Sequence, residues 1–266
     1  MNPIPPTCSD LLSRAQRLGL WGLCAHFDQL GEKPWVPQLL DLEEQARRQR
    51  SLERRIQSAH LGTFRSMADF DYGWPSKIDR DQVQDSMGLG FIKEHENLIF
   101  LGPNGVGKTM LAKNVFYQAL LAGMTVLFTT ASTMLADLVQ RDSSRSLQQR
   151  LRVYARPQLL VIDEMGYLSY DNRHADLLFE VITRRYERSS TIITTNKPFS
   201  QCNDMFPNAT CVVTLIDRLT HHAEVIQIEA PSYRLKEAKE RAADKTKRRK
   251  DNRPPKPAAD SPAQPR

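Results

Sequence analysis

From Ser9 to about Leu61 the apolar positions recur every three or four residues. In SDLLSRAQRLGLWGLCAHFDQLGE, Leu11, Ala15 and Leu18 fall on one stripe, and Leu23, Phe27 and Leu30 continue the spacing. That period belongs to amphipathic helices sharing a small core. PQLLDLEEQARRQRSLERRIQSAH (Pro37–His60) reads as a second helical block, and FDYGWPSKIDRD (Phe70–Asp81), with its Gly and Pro, reads as a linker. From Asn97 the rhythm changes. NLIFL (Asn97–Leu101), the apolar run before Asp163, TIITT (Thr191–Thr195) and EVIQIE (Glu224–Glu229) are short strand-like runs separated by helical stretches. Such alternation predicts an α/β domain built on a mostly parallel sheet.

A chain of 266 residues allows one such domain and a small accessory piece. Cys8, Cys24, Cys202 and Cys211 are scattered and form no C-x-x-C, which points to a reducing compartment rather than a disulfide framework or a zinc site. His221 and His222 are adjacent, so they are expected to point apart and chelate poorly. No apolar run reaches spanning length and no secretory leader is evident, so a cytoplasmic protein without a membrane partner is expected. The net charge of +6 changes meaning once it is placed. Lys236 to Arg266 holds eleven Lys and Arg against five Asp and Glu, so this tail carries the whole excess and the body is neutral. Its Pro-rich, almost apolar-free end predicts a disordered basic arm that strengthens nucleic-acid binding without specifying sequence.

The chemistry starts at LGPNGVGKTML (Leu101–Leu111). Gly102, Gly105, Gly107, Lys108 and Thr109 match the phosphate-binding loop G-x-x-x-x-G-K-[ST]. Its backbone amides curl around phosphates, Lys108 adds charge, and the Thr109 hydroxyl can ligate Mg²⁺. A strand leads in, and a helix with apolar Leu111, Val115 and Ala119 leads out toward Gly123, its dipole aimed at the phosphates. In LLVIDEMGYL (Leu159–Leu168), Asp163 ends a buried strand where ligands gather in open α/β sheets and would hold Mg²⁺. Glu164 follows and can polarise a water for in-line attack, which favours hydrolysis over phosphate transfer to an acceptor. The strand TIITT ends at Asn196. If it lies between the loop strand and the Asp163 strand, Asn196 falls beside the γ-phosphate. Arg218 and Arg234 are candidates for sensing or neutralising phosphate charge, and from spacing alone either could be an ordinary surface arginine.

These residues carry a resemblance. The chain resembles an AAA+ ATPase and, more narrowly, the IstB-like ATP-binding helpers of insertion-sequence transposition, relatives of the DnaC-type helicase loaders and initiator ATPases. The likeness runs from about Leu11 to Lys236 and is most specific from DLLFEVITRRYERSSTIITTN to SYRLK. It implies a five-stranded P-loop core with a reduced or absent lid, preceded by a small all-α domain. The divisions are then 1–64 for the helical domain, 65–96 for the linker and a lead-in helix, 97–236 for the ATPase domain, and 237–266 for the tail. It implies that Gly102, Pro103, Asn104, Gly105, Val106, Gly107, Lys108, Thr109 and Met110 cradle ATP, with Thr109 and Asp163 on Mg²⁺ and Glu164 as base. Asn196 becomes a sensor, Arg218 the finger reaching a neighbouring subunit, and Arg234 a second sensor. Asn104 and Val106 stand where the family more usually has Pro and Thr, both spacer positions. Arg184 and Arg185 are rival fingers.

Two basic stretches suggest DNA contacts. In RRQRSLERR, Arg47, Arg50 and Arg54 share a helix face, although Glu43–Arg47 and Glu44–Arg48 pairs would make it an ordinary solvated face. Between Leu138 and Pro157, Arg141, Arg145, Arg150, Arg152 and Arg156 face a single Asp142. Neither stretch interleaves aromatics for base stacking, so backbone contacts to duplex DNA are expected. The resemblance implies an ATPase that oligomerises on duplex target DNA, with ATP between subunits, and recruits or activates a cognate transposase. A helicase loader and a nucleotide-gated binder with little turnover are the alternatives.

Overall fold

A computed structural model of the chain describes residues 7–166, 171–198 and 211–251. Four helices open it: α1 (Cys8–Arg17), α2 (Trp21–Ala25), α3 (Phe27–Leu30) and the long α4 (Trp35–Ser58). Thr7 caps α1 by accepting the Asp10 amide. The apolar stripe read from the sequence closes on itself, with Leu11, Ala15, Leu18, Phe27, Val36 and Leu40 forming a core separate from the rest. The far end of α4 turns onto the next domain, where the Phe128 amide donates to the Ala59 carbonyl at 3.0 Å.

Short helices α5 (Arg80–Met87) and α6 (Gly90–Lys93) lead into the sheet. It contains β1 (Asn97–Leu101), β2 (Val126–Thr130), β3 (Leu159–Met165), β4 (Ser190–Thr195) and β5 (Ala223–Gln227) in the order β2-β3-β4-β1-β5. All four pairings are parallel. Helices α7 (Lys108–Leu121), α8 (Ala131–Val139), α9 (Ser144–Ala155), α10 (Asn172–Arg185) and α11 (Val212–Thr220) cover the faces. Alternate strand residues divide between two cores. Ile99, Leu160, Ile162 and Ile193 pack with α8, α10 and α11, while Leu98, Phe100, Val161 and Ile192 pack with α7. Burial on both sides explains why these strands read as continuous apolar runs.

One boundary differs from the sequence expectation. Helix α12 (Tyr233–Asp251) continues through the first part of the segment read as a disordered tail. Its charges suit a solvated helix, and its first turn is anchored to the domain. The rest of that tail, residues 252–266, and Cys202 lie outside the described residues. Cys8, Cys24 and Cys211 are free thiols. Among the described residues no helix is long and apolar enough to cross a membrane.

Candidate functional site

The carboxyl ends of β1, β4 and β3 lie side by side, so the loop after β1, Asn196 after β4 and the Asp163–Glu164 pair on β3 share one rim. The position of β4 between β1 and β3 is the arrangement that the role of Asn196 requires. Gly107 caps α7 with φ +102°, and a Cβ there would sit 2.7 Å from Phe70 Cε2. At Gly102 the constraint is close approach, since a Cβ would fall 2.2 Å from the Ile228 carbonyl oxygen. Both positions therefore need glycine.

Lys108 is 5% exposed, and its Nζ donates to the carbonyls of Gly102 and Pro103 at 2.7 Å each. Burial pulls its pKa down to about 8, against the opposing pull of the Asp163 charge. Asp163 is also buried. Its Oδ1 accepts from Thr109 Oγ1 at 3.0 Å and from Thr194 Oγ1 at 2.5 Å. A hydroxyl and a carboxylate this close are the hard oxygen donors that Mg²⁺ takes, so the residues present fit that ion. Glu164 has φ +61° and lies where the β3–β4 register slips between Ile162 and Met165. This bulge turns its exposed side chain toward the cavity over the loop. Asn196 Oδ1 is buried and, among the described residues, has no hydrogen-bond partner. A buried amide left in that state at a strand end fits an acceptor kept for a ligand or its water.

The cavity holds about 460 Å³ and, apart from Arg234, its outer walls come from residues that sequence reasoning did not assign to it. Phe64, Arg65, Phe70 and Trp74 come from the stretch before β1, so FDYGWP is a wall of the site and not merely a linker. Tyr233 and Arg234 come from α12, whose Tyr233 amide donates to the Gly105 carbonyl at 3.0 Å. The two walls are tied together. Arg65 pairs with Glu237 at 2.6 Å, Trp74 Nε1 donates to the Pro231 carbonyl at 2.9 Å, and Lys236 Nζ lies 4.3 Å from the Trp74 ring centroid. The aromatic content of FDYGWP beside a phosphate loop was the available signal, since such rings suit a nucleobase. Thr194, which bridges the acidic pair, was also missed, because a threonine inside a β-branched strand carries no mark of its own.

Arg234 is exposed at the cavity rim. Arg218 stands away from that cavity, stacked over Phe179 at 4.9 Å and Tyr186 at 5.8 Å and donating to Thr183 Oγ1. Of the two rivals, Arg185 is only 1% exposed and serves the chain itself. It donates to the carbonyls of Tyr154, Ala155, Pro157 and Ser190 and to Thr191 Oγ1. Burial lowers its pKa to about 9, and those acceptors hold the guanidinium in place. It cannot reach a neighbouring subunit. Arg184 is engaged by Glu180 at 2.7 Å and by Gln148.

The expected DNA residues separate in the same way. Arg47 and Arg48 form the anticipated i,i+4 pairs with Glu43 at 2.9 Å and Glu44 at 3.6 Å, while Arg50 and Arg54 are exposed. Asp137, one residue before the basic stretch, binds both Arg141 and Arg150 and accepts from Tyr154 Oη at 2.6 Å. Burial would raise the Asp137 pKa, but those three hydrogen bonds outweigh it and hold the carboxyl below its usual range. Arg145, Arg152 and Arg156 remain exposed on α9 and its end. One expectation is overturned: His221 and His222 do not point apart. Their ring centroids are 4.0 Å apart, and with Glu187 they bring ligand atoms within 4.8 Å of one another on the exposed turns before β4 and β5.

A phosphate loop after β1 and an acidic pair on β3, with the β4 end between them, define a P-loop ATP-binding protein. Among solved structures, DnaI shares this fold with a TM-score of 0.52 and 19% identity, over 63% of this chain and 92% of DnaI. The profile of the IstB-like ATP binding proteins matches residues 23–241, and the chain belongs to that family. The insertion sequence IS21 ATP-binding protein of Pseudomonas aeruginosa is 36% identical over 209 residues, 79% of each chain. The IS5376 ATP-binding protein of Geobacillus stearothermophilus is 35% identical over 199 residues, 75% of this chain and 79% of that one.

Proposed function

We propose that this protein is a DNA-binding ATPase that assembles on duplex target DNA and recruits or activates the transposase of its insertion sequence. The observation that carries the ATPase part is the acidic pair facing the loop. Asp163 and Thr109 already share a hydrogen bond, and Glu164 is turned by a strained backbone toward the cavity beside Lys108. In this reading Lys108 leaves its two loop carbonyls for the phosphates of ATP. Thr109 and Asp163 hold Mg²⁺, whose charge offsets that of the phosphate oxygens. Glu164 accepts a proton from the attacking water, and the Asn196 amide helps orient that water or the γ-phosphate. The transposition role rests on membership of a family whose relatives are named for insertion sequences.

Arg218 acts in trans in this reading. Its guanidinium is far from its own cavity but lies on the surface formed by α10 and α11, where a second copy can meet it. Arg234 senses the nucleotide in cis. Duplex DNA is held through phosphates by Arg145 and Arg152 on α9, with Arg50 and Arg54 on α4 adding a second contact. Arg47, Arg141 and Arg150 contribute less, because each is already paired to a carboxylate.

ATP turnover with and without long duplex DNA across a salt series tests the proposal, alongside Glu164→Gln. Stimulation that fades steeply with salt, and ATP-dependent assemblies of Glu164→Gln that persist on duplex, are expected. Turnover indifferent to duplex refutes the DNA role. Turnover that answers to single strands or to a replicative helicase assigns the chain to helicase loading.

A further inference from the structure

Thr194 belongs to none of the motifs that mark the site, yet its hydroxyl stands between the two acidic residues. It is 1% exposed, on β4. Its Oγ1 is 2.5 Å from Asp163 Oδ1 and 2.9 Å from the Glu164 amide nitrogen. A carboxylate accepts and an amide donates, so both directions are fixed. The single hydroxyl proton goes to Asp163, and a lone pair receives the Glu164 N–H. The Thr109 hydroxyl reaches the same Oδ1 at 3.0 Å. Two hydroxyls thus converge on one carboxylate oxygen and leave Oδ2 without a protein donor among the described residues.

The second bond matters as much. Glu164 has φ +61° at the place where the β3–β4 register shifts, a conformation that a residue with a Cβ adopts only when its surroundings hold it there. The Thr194 hydroxyl is the acceptor its amide uses. One buried hydroxyl therefore fixes the orientation of Asp163 and the backbone from which Glu164 projects.

We propose that Thr194 is a positioning residue for ATP hydrolysis, setting Asp163 and Glu164 together through this bridge. The inference rests on the ATPase reading above. The chemistry is geometric: no bond to substrate is made by Thr194, and its effect passes through the two carboxylates.

The test uses the full chain carrying Thr194→Val, which removes the hydroxyl at similar shape, and Thr194→Ser, which keeps it. Thr194→Ala stands in if the valine variant is unfolded by circular dichroism. Amide exchange at Glu164 is measured in the nucleotide-free protein, and ATP affinity is measured in EDTA. Steady-state turnover is resolved into kcat and KM. With Thr194→Val, exchange at Glu164 accelerates by about 10-fold or more and kcat falls about 10–100-fold, the range seen when a group orienting a metal ligand is lost. Affinity in EDTA and KM stay within about twofold, and Thr194→Ser restores both exchange and kcat. Unchanged exchange, an unchanged kcat, or no rescue by serine overturns the proposal. If the unsubstituted chain itself shows no turnover, the ATPase reading fails, while exchange at Glu164 still decides whether Thr194 holds that backbone.

Discussion

Replacing Glu164 by alanine and, in a separate variant, by glycine divides the demand of the backbone from the chemistry of the side chain. Both substitutions remove the carboxylate, and both keep the amide that donates to Thr194. In ordinary strand geometry glycine is the less stable by roughly 0.5–1 kcal/mol, because its unfolded state is freer. At φ +61° the order reverses. A Cβ in the left-handed region costs about 1–2 kcal/mol, and glycine escapes that cost. The difference leaves Glu164→Gly ahead by up to about 1.5 kcal/mol, with a central value of about 0.75. For a folded unit of this size, 1 kcal/mol moves Tm by roughly 2–4 °C. Thermal and urea unfolding of the nucleotide-free variants should therefore place glycine above alanine by a few degrees, with equal urea slopes. Neither variant should retain turnover, since losing a general base costs about 10²–10⁴-fold. A glycine variant equal to or below alanine would refute the idea that strain is stored at Glu164.

Four further outcomes are expected. Arg185→Met should lower stability by at least about 3 kcal/mol, read by urea unfolding, because several buried carbonyls lose their donor at once. Lys108 has a folded pKa of about 8 against an ordinary 10.5, so it loses its proton from the folded chain first. ATP-analogue affinity should thus weaken as pH rises through about 8, while stability of the free chain gains between about 8 and 10.5; Lys108→Met should flatten both responses. Gly107→Ala must strain the loop or displace Phe70, at a cost on the order of 1–3 kcal/mol, and should weaken ATP binding about 10–100-fold by titration. Arg145→Glu with Arg152→Glu should weaken duplex binding for every sequence and reduce the salt slope by about 2, whereas Arg150→Ala should act mainly on stability by removing one of the three donors to Asp137.

The phosphate loop, the Asp163 strand and the parallel sheet were legible because each has a local signature: glycine spacing, an apolar run ending in acid, and strand–helix alternation. The place of β4 between β1 and β3 entered only as the condition under which Asn196 falls near the loop, and the strand order meets it. The features that escaped depend on partners distant in sequence. Arg185 looks like its neighbour Arg184, and only the convergence of residues 154–157 and 190–191 on it shows a buried structural cation. Asp137 lies just before a stretch that reads as basic, and folding brings it back onto Arg141 and Arg150. The aromatic wall from Phe64 to Trp74 was visible in composition, but its contact with Tyr233 joins residues about 160 positions apart. The start of α12 was hidden by the charge of the residues C-terminal to it, since a solvated helix and a disordered arm share that composition.

The order β4-β1-β5 has a consequence for how the protein is made. The strand that carries the ATP loop is the first of the sheet to be synthesised, yet its two hydrogen-bonded neighbours are the last. The Gly102 and Gly105 ends of the loop are closed by Ile228, Ser232 and Tyr233, more than a hundred residues downstream. A ribosome that has just released residues 97–121 has exposed a motif without a pocket. Contacts of such long range form slowly, and none of them can reward binding until the stretch past Tyr233 has emerged. The loop is legible in the first strand made, but the pocket around it is completed only when the last strand has joined the first.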